Sequence, residues 1–439
     1  MTEWLTGDPA PRAGDEEYTG RYLVLGRDAH DAGLVRMLRD QAGLTMASSS
    51  DFSDGAVDMA RIGGADGVYL EELGVAITSS APDQLTRMTQ AGASGDLLTV
   101  EREQVLFALH VPRSDDAPTM APASAPGFFG VQAIDALVCG MVSPSAVEMR
   151  RRTDERERTW GLVSTGVINS TRTGRGIRVA VLDTGLDLRH PDFSGRRMVS
   201  QSFVQGEAVQ DGQSHGTHCI GTALGPVRPG SAPRYGVASE AEIYVGKVLS
   251  DTGRGSDGSV LTAINWAVTN RCRIVSMSLG SPGRLGVPYS RVHETAAQRA
   301  LAANTLLIAA AGNESRRAQG QINPVGRPAD CPSVMAVGAI DSEMRIAPFS
   351  TRGTGAVGGA IDIVGPGVDV YSTVPSPNLY GVKSGTSMAC PHVAGIAALV
   401  AEANPQASAR DIWAWLVKNA KRLSLDPADG GAGLVQAPK

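Results

Sequence analysis

The sequence of 439 residues has few cysteines, few aromatic residues and no strong excess of charge. Its five cysteines form neither a close-spaced metal knuckle nor an even disulfide set, so we expect mostly free thiols: Cys139, Cys219, Cys272, Cys331 and Cys390. No wholly apolar stretch reaches the roughly 18 residues that a membrane span requires. The net charge of -5 implies no basic face for nucleic acid. We therefore expect neither a membrane nor a nucleic-acid partner.

The first residues, "MTEWLTGDPAPRAGDEEYTG", are acidic and polar. They lack the basic start and apolar core of a secretory signal. We expect residues 1–20 to be disordered and the protein to be cytoplasmic, with export by another route left open.

Residues 21–110 carry the pattern of a small α+β unit. The segments "RYLVLG", "LGVAITSS" and "LLTVEREQVLFAL" read as strands, with a weaker strand near "LTMASSSDF". Two helices separate the clear strands, and Ser80 and Asp83 form an S-x-x-D cap for the second helix. Strands and helices in this order predict a ferredoxin-like fold.

Residues 111–158 are predicted to connect two domains. The stretch after His110 is rich in Pro, Ala, Ser and Asp, which is typical of an exposed linker, and a helical connection follows from about Val131 to Arg158. From residue 159 to residue 439, apolar runs such as "IRVAVLD" and "NTLLIAAAGN" alternate with helical segments. Runs that are apolar on both faces predict a doubly wound, mostly parallel sheet flanked by helices.

Three segments of this second domain place a reactive side chain among small residues: "VAVLDTGLDLRHPDF", "SHGTHCIGTALG" and "SGTSMACPHVAG". The histidines of the second segment leave a zinc site, a thiol site and a general base open. Zinc would need a third ligand, and the H-E-x-x-H arrangement is absent. Because sites in open α/β sheets form beyond the carboxyl ends of the strands, Asp183, His215 and Ser387 are candidates for one activated nucleophile.

With a fourth segment, "AAAGNES", these motifs make the chain resemble a subtilisin-like serine protease over roughly Thr159 to Lys439. The motif "HGTHC" resembles the proteinase K-like branch of that family. The resemblance implies that Ser387 is the nucleophile, His215 the general base, Asp183 the group that orients the imidazole, and Asn313 an oxyanion donor. His218, His190, His392, Cys219 and Cys390 are interpreted as structural residues.

The same resemblance implies a cleft that binds an extended polypeptide as an added strand. Its candidate residues are Gly253, Arg254, Gly255, Ser278, Leu279, Gly280, Ala310, Gly312 and Gly326. Gly326 would leave the floor of the specificity pocket open, and an apolar or aromatic residue before the scissile bond is expected, although Glu314 at the rim could admit a basic one.

Structural calcium is a further implication of the resemblance, whereas catalysis needs no cofactor. The loop after the histidine helix, "GPVRPGSAPRYGVAS", has no acid before Glu240, so we do not expect a calcium site there. A different site is suggested by Asp362 as a carboxylate, with the carbonyl groups of Pro332 and Val334.

The resemblance therefore implies a serine endopeptidase whose residues 21–110 resemble the pro-domain of such proteases, a chaperone and inhibitor that is separated by self-cleavage. Two alternatives remain open. One is an inhibited, non-catalytic relative that acts as a binding module, and the other is a protease dedicated to one cytoplasmic peptide or protein partner.

Overall fold

The computed structural model describes residues 17–30, 32–57, 62, 64–91, 97–109, 156–230, 232–355 and 358–439. The predicted linker up to residue 155, most of the predicted helical connection and Cys139 lie outside these residues. The other four cysteines are buried and free, as the sequence predicts.

The N-terminal unit contains five strands and two helices in its described part. They are β1 (Tyr18–Gly26), α1 (Ala32–Ala42), β2 (Met46–Ser48), β3 (Gly67–Leu70), β4 (Val75–Thr78), α2 (Pro82–Ala91) and β5 (Leu97–Ala108). The strand order is β5-β1-β4-β3-β2, and only β2 and β3 pair in parallel. The first four of these strands have the order of a ferredoxin-like sheet. Because β1 begins at Tyr18, the predicted disorder is wrong for residues 18–20.

Helix α2 begins one residue later than its predicted cap requires. Its first residue is Pro82, whose fixed φ and missing N–H suit the first helical position. The N–H of Ala81 donates to the side chain of Gln84 at 2.8 Å, while Asp83 pairs with Arg87. The Ser80 and Asp83 cap is therefore wrong by one residue.

The two faces of the N-terminal sheet bury different partners. Val24 packs against Leu34 and Leu38 of α1, whereas its neighbours Leu23 and Leu25 belong to the main core of the molecule. This alternation follows from the two-residue period of a strand. The sheet therefore lies between its own helices and the C-terminal domain, and the second face of the sheet is covered only when the two parts are together.

The C-terminal domain contains eleven strands, which include a seven-stranded sheet, and seven α-helices among the described residues. The strands are β6 (Arg178–Asp183), β7 (Met198–Ser202), β8 (Glu242–Lys247), β9 (Arg254–Ser256), β10 (Ile274–Met277), β11 (Leu279–Gly280), β12 (Leu306–Ala310), β13 (Met335–Ile340), β14 (Ile363–Pro366), β15 (Val370–Thr373) and β16 (Tyr380–Lys383). The helices are α3 (Trp160–Ser164), α4 (His215–Leu224), α5 (Asp257–Thr269), α6 (Arg291–Ala302), α7 (Thr386–Ala403), α8 (Ala409–Asn419) and α9 (Pro427–Gly430).

The large sheet is parallel throughout, in the order β14-β13-β12-β10-β6-β8-β7. Its central strands are apolar on both faces because helices cover both sides. The expected α/β architecture is confirmed. The sequence did not predict β7, an edge strand whose polar residues give it no apolar run.

Helix α7 runs through the core and packs against β10, β12, β13 and β14. Within the described residues it is the one helix with the length and composition of a membrane span, but 89% of it is buried inside the domain. Small residues make this burial possible, since a Cβ at Gly395 would lie 2.7 Å from the side chain of Val237.

A group of tyrosines joins the loop after α4 to the β15–β16 hairpin. The hydroxyls of Tyr235 and Tyr380 both donate to Asp192, at 2.5 and 3.0 Å. The rings of Tyr371 and Tyr380 stack, and Tyr235 lies edge-on to both. Burial, followed by the bond to Asp192, raises the pKa of Tyr235 far above its usual value. The loop after α4, which has no acidic residue before Glu240, is therefore held by the hydrogen bond between the Tyr235 hydroxyl and the Asp192 carboxylate.

We expect Tyr235→Phe to lower the free energy of unfolding by about 2 kcal/mol, because it removes a hydrogen bond to an ionised group without changing the ring. Tyr371→Phe is the matched control, since no described residue accepts a hydrogen bond from its hydroxyl. Urea unfolding of both variants checks this. Equal losses in the two variants would contradict the role of the Asp192 contact.

Candidate active site

Three separate elements bring Asp183, His215 and Ser387 to one place. Asp183 is the last residue of β6, His215 the first residue of α4, and Ser387 the second residue of α7. Asp183 Oδ1 accepts a hydrogen bond from His215 Nδ1 at 2.8 Å, and both side chains are fully buried. The carboxylate therefore leaves the other ring nitrogen, Nε2, as the one that can take a proton.

The approach of α4 to the end of β6 depends on Gly216. A Cβ at this position would lie 2.3 Å from the carbonyl oxygen of Gly185. The N–H of Gly216 donates to Thr184 Oγ1 at 2.8 Å, and the N–H of Thr184 donates to Asp183 Oδ1 at 2.7 Å. The glycine after His215 is thus required for the distance between the histidine and the aspartate.

Cys219 lies between His215 and Ser387. Its Sγ is 3.8 Å from His215 Nδ1 and 3.5 Å from the carbonyl oxygen of Ser387. Burial raises the pKa of the Cys219 thiol well above its usual value, so the thiol stays neutral. The structure therefore places Cys219 beneath the imidazole as a packing residue.

The hydroxyl of Ser387 donates to the carbonyl oxygen of Ser278 at 3.0 Å. Ser278 Oγ in turn donates to the carbonyl oxygen of Ser387 at 2.9 Å. These reciprocal contacts hold the first turn of α7 against the end of β10. The Ser387 hydroxyl must leave this acceptor before it can give its proton to the imidazole.

Asn313 presents an amide donor beside the same turn. Its Oδ1 accepts hydrogen bonds from Thr386 N and Thr386 Oγ1, both at 2.9 Å, while its buried Nδ2 has no hydrogen-bond partner in the part of the chain that is described. The first N–H groups of α7 have no partner within the helix either. The N–H groups of Thr386 and Met388 donate to Asn313 Oδ1 and Gly385 O, so the Asn313 amide and the N–H of Ser387 are the candidate donors at this turn for an oxygen on which negative charge develops.

The three other histidines that the sequence suggested to be structural bind backbone groups. His218 Nε2 lies 3.0 Å from Val370 O, His190 Nε2 lies 2.8 Å from Leu379 O, and His392 Nδ1 lies 2.8 Å from Met388 O. Burial lowers the pKa of His218 well below its usual value and that of His392 to about 4. His218 thus turns away from His215, and these two residues do not form a zinc pair.

Cys390 packs in the core. Its Sγ lies 3.5 Å from Ile308 O and from Ser276 Oγ. Burial raises the pKa of its thiol to about 11, so it has the structural role that the sequence suggested.

Strand β5 of the N-terminal unit occupies the groove that the candidate substrate-binding residues form. It pairs antiparallel with β9 and with β11. In register, Phe107 opposes Arg254 and Gly280, Leu106 opposes Gly255, and Ala108 opposes Leu279. The N–H of Ala108 also donates to Gly253 O at 3.0 Å. The single strand β5 therefore pairs with both edges of the groove, β9 on one side and β11 on the other.

The end of β5 lies beside the nucleophile candidate. The N–H of Leu109 donates to Ser278 O at 3.2 Å, and this is the same oxygen that accepts the Ser387 hydroxyl. The last described residue of this segment, Leu109, therefore lies beside Ser387. Leu109 and Leu106 are buried, whereas Phe107 faces outward with Arg254 over its ring at 5.3 Å.

The remaining pocket candidates lie on two backbone segments. Ala310 ends β12, and Gly312 has a φ of +124° that favours glycine. A Cβ at Gly326 would lie 2.3 Å from Ser281 O. Gly326 thus permits two backbone segments to approach each other closely. The sequence interpretation, that this glycine leaves the floor of the specificity pocket open, did not include this reason for a glycine. Burial raises the pKa of Glu314 beside them.

The metal candidates lie at β13 and before β14. Asp362 Oδ2 accepts a hydrogen bond from Ala336 N at 2.8 Å, and burial raises the pKa of Asp362 to about 7. Pro332 and Val334 precede β13 and could offer carbonyl oxygens. One half-buried carboxylate with carbonyl groups is a donor set that suits calcium.

Sequence reasoning missed two residues that hold this site, Thr386 as the partner of Asn313 and Asp211 before the histidine, and it predicted Ser278 as a substrate-binding residue but not as a shared acceptor. Thr386 lies in one of the quoted motifs and Asp211 lies shortly before another, and this proximity was the signal that could have identified them as site residues. Asn313 is 73 residues from Thr386, and Thr184, which links Asp211 to β6, is 27 residues from Asp211, so these contacts gave no signal.

Comparison with known proteins agrees with this geometry. The model of the subtilase family matches residues 174–434. Subtilisin NAT of Bacillus subtilis subsp. natto is 41% identical over 235 residues, which cover 53% of this chain and 57% of that protein. Subtilisin BL of Lederbergia lenta is 41% identical over 270 residues, which cover 61% of this chain and 92% of that protein. The chain thus spans little more than half the length of subtilisin NAT.

An activated serine in this geometry should react with a fluorophosphonate probe. We expect Ser387→Ala to abolish labelling, His215→Ala to lower it strongly, and the double variant to be no worse, because the two groups act as a unit. Ser384→Ala, three residues upstream, is the control and should label normally. Mass spectrometry of processed protein locates the adduct, and substantial labelling of Ser387→Ala would contradict the assignment.

Proposed function

The chain belongs to the subtilase family, whose model matches more than half of it, and on that premise we propose that it is a serine endopeptidase made as a self-cleaving zymogen. The single observation that carries the proposal is the position of β5, which lies in the candidate cleft and leads to Leu109, whose N–H shares the acceptor Ser278 O with the Ser387 hydroxyl. Membership of the proteinase K-like branch stays a prediction.

In the proposed reaction His215 takes the proton of the Ser387 hydroxyl as Oγ attacks the carbonyl carbon of a peptide bond. Asp183 holds the imidazole and stabilises its charged form. Asn313 Nδ2 and the N–H of Ser387 bind the oxygen of the tetrahedral intermediate. His215 then gives the proton to the leaving amine, and water releases the acyl group by the same steps in reverse order.

The proposed substrate is an extended polypeptide that replaces β5. Backbone pairing with β9 and β11 tolerates many sequences, while pockets select alternate side chains. Leu109 and Leu106 are the two buried side chains near the end of β5. We therefore propose a preference for apolar residues directly before the scissile bond and three residues before that.

The N-terminal unit is proposed to inhibit the enzyme after cleavage as well. The buried carboxylate of Glu103 pairs with Arg21 and accepts the N–H of Gly258 in the first turn of α5. The carboxylate of Glu101 accepts hydrogen bonds from Ser290 Oγ and from the N–H of Arg291 at the start of α6. Carboxylates at helix N-termini bind favourably. The unit thus keeps contacts that do not depend on an intact chain.

We expect wild type to appear as two fragments cut after Leu109, and Ser387→Ala to stay intact. Leu109→Glu should block this cut, because it places a charge where the wild-type side chain is buried. Phe107→Glu is the matched control, since its side chain faces outward beside Arg254. Intact-mass analysis of the four proteins locates the bond.

Two results would contradict the proposal. Equal fragmentation of Ser387→Ala would mean that another protease makes the cut. A main cut distant from Leu109 would mean that β5 does not lie in the cleft as a substrate.

Calcium is proposed to bind at Asp362, with the carbonyl groups of Pro332 and Val334. Binding only to the folded state stabilises it by about 2.7 kcal/mol at 100 times the dissociation constant. In the Ser387→Ala protein we expect calcium to raise the melting temperature by roughly 5–10 °C relative to chelator. Asp362→Asn should lose this response, while the control Asp341→Asn keeps it. An equal response in all three proteins would contradict the site.

A further inference from the structure

Asp211 lies four residues before His215 and is almost fully buried. Its carboxylate accepts five hydrogen bonds from the chain. Oδ1 accepts from Thr184 Oγ1, Gln213 N and Ser214 N, each at 2.9 Å, and Oδ2 accepts from Thr217 N at 2.8 Å and Thr217 Oγ1 at 2.6 Å. One carboxylate thus joins the residue after Asp183 to the first turn of the helix that begins with His215.

The link to Thr184 reaches Asp183 directly. The N–H of Thr184 donates to Asp183 Oδ1, the same oxygen that binds His215 Nδ1. Thr184 Oγ1 donates to Asp211 and accepts the N–H of Gly216. A shift of Thr184 would therefore move both members of the Asp183–His215 pair.

The link to α4 replaces an ordinary helix cap. Ser214 is the N-cap residue, but its side chain makes no cap hydrogen bond and its φ is +84°, a left-handed conformation. Asp211 accepts the N–H of Ser214 and that of Thr217, which is the donor that an N-cap side chain usually satisfies. The carboxylate thus holds the backbone conformation that aims His215.

The opposite side of Thr184 is held by a second group. The buried amine of Lys247 donates to Thr184 O and to Asp251 Oδ1, both at 2.7 Å. Asp251 Oδ1 also accepts the N–H of Gly212 at 3.0 Å. With this support already in place, the hydroxyl of Thr184 and the start of α4 depend on Asp211 for their mutual position.

We propose that Asp211 is a positioning residue: it fixes the distance and angle between Asp183 and His215 in the proposed peptidase. This inference rests on the proposed function for its kinetic consequence. It predicts that loss of Asp211 impairs chemistry more than substrate binding, because its hydrogen bonds go to Thr184 and to the start of α4 and none goes to β9 or β11; of its partners, Gln213 has a side chain that lies next to Gly253.

The first test follows self-cleavage of the refolded full chain, a single turnover in which the substrate strand is already tethered. We expect Asp211→Ala to slow cleavage after Leu109 by about 10- to 100-fold, since small displacements of catalytic groups cost this much. Thr184→Val keeps the charge of Asp211 and cuts the link to β6. It should slow cleavage in the same way, and the double variant should be much less impaired than the product of the single effects.

The pH–rate profile separates positioning from loss of stability. A loosened Asp183 stabilises the imidazolium less, so the acid limb should move to lower pH in Asp211→Ala and in Thr184→Val. Glu402→Gln is the stability control. Glu402 accepts the N–H groups of Thr173 and Gly174, and it lies fifteen residues along α7 from Ser387, roughly 22 Å away.

A second measurement does not require activity. In the Ser387→Ala protein, the low-field proton resonance of His215 Nδ1 should move upfield when Asp211 is changed to Ala or Asn, but not with Glu402→Gln. An unchanged resonance in a folded Asp211→Asn variant would overturn the inference. Wild-type rates and pH limbs in Asp211→Ala would do so too. If wild type cleaves nothing while the resonance moves as expected, the proposed function fails and the positioning role stands.

Discussion

Two short strand edges in the C-terminal domain require a partner, and β5 pairs with both. Strands β9 and β11 are separated by a groove, and one added strand satisfies the backbone groups on each side. The position of this strand determines which bond lies beside Ser387 and which side chains are buried. It also makes the N-terminal unit cover the candidate cleft in which another polypeptide is proposed to bind.

The contacts of the N-terminal unit fit the proposal that one segment pairs as a substrate would and still blocks the site. Only the last residues of β5 lie in the cleft, whereas Glu101 and Glu103 bind the first turns of α6 and α5 outside it. The face of the sheet that contains Leu23 and Leu25 belongs to the shared core. In the proposed self-cleavage, cutting one peptide bond would leave these contacts in place, so separation of the two parts would be a second step.

The polar groups of the site are buried, and each is oriented by a fixed partner. Thr386 holds the amide of Asn313, Ser278 holds the first turn of α7, and Asp211 holds the start of α4. In a site of low dielectric, donors that are already oriented need little rearrangement as charge develops. This arrangement explains why so many small residues surround the reactive side chains, because bulkier ones would separate the backbones that make these contacts.

The sequence by itself determined the family, the parallel α/β architecture and the side chains proposed to carry the chemistry. These features are encoded in short segments: an apolar run specifies a buried strand, and a reactive residue flanked by glycine marks the strand or helix end where it projects. Sequence patterns did not correctly predict the edge strand β7, the start of β1 or the cap of α2, because edge strands and caps depend on one or two residues. The tertiary structure alone decided that β5 fills the cleft, that Leu109 and Ser387 share an acceptor, and that Asp211 joins β6 to α4. Each of these depends on groups that are far apart in the chain or on more than one element. Local sequence patterns contain no information about which distant backbone edges and carboxylates will meet when the core closes.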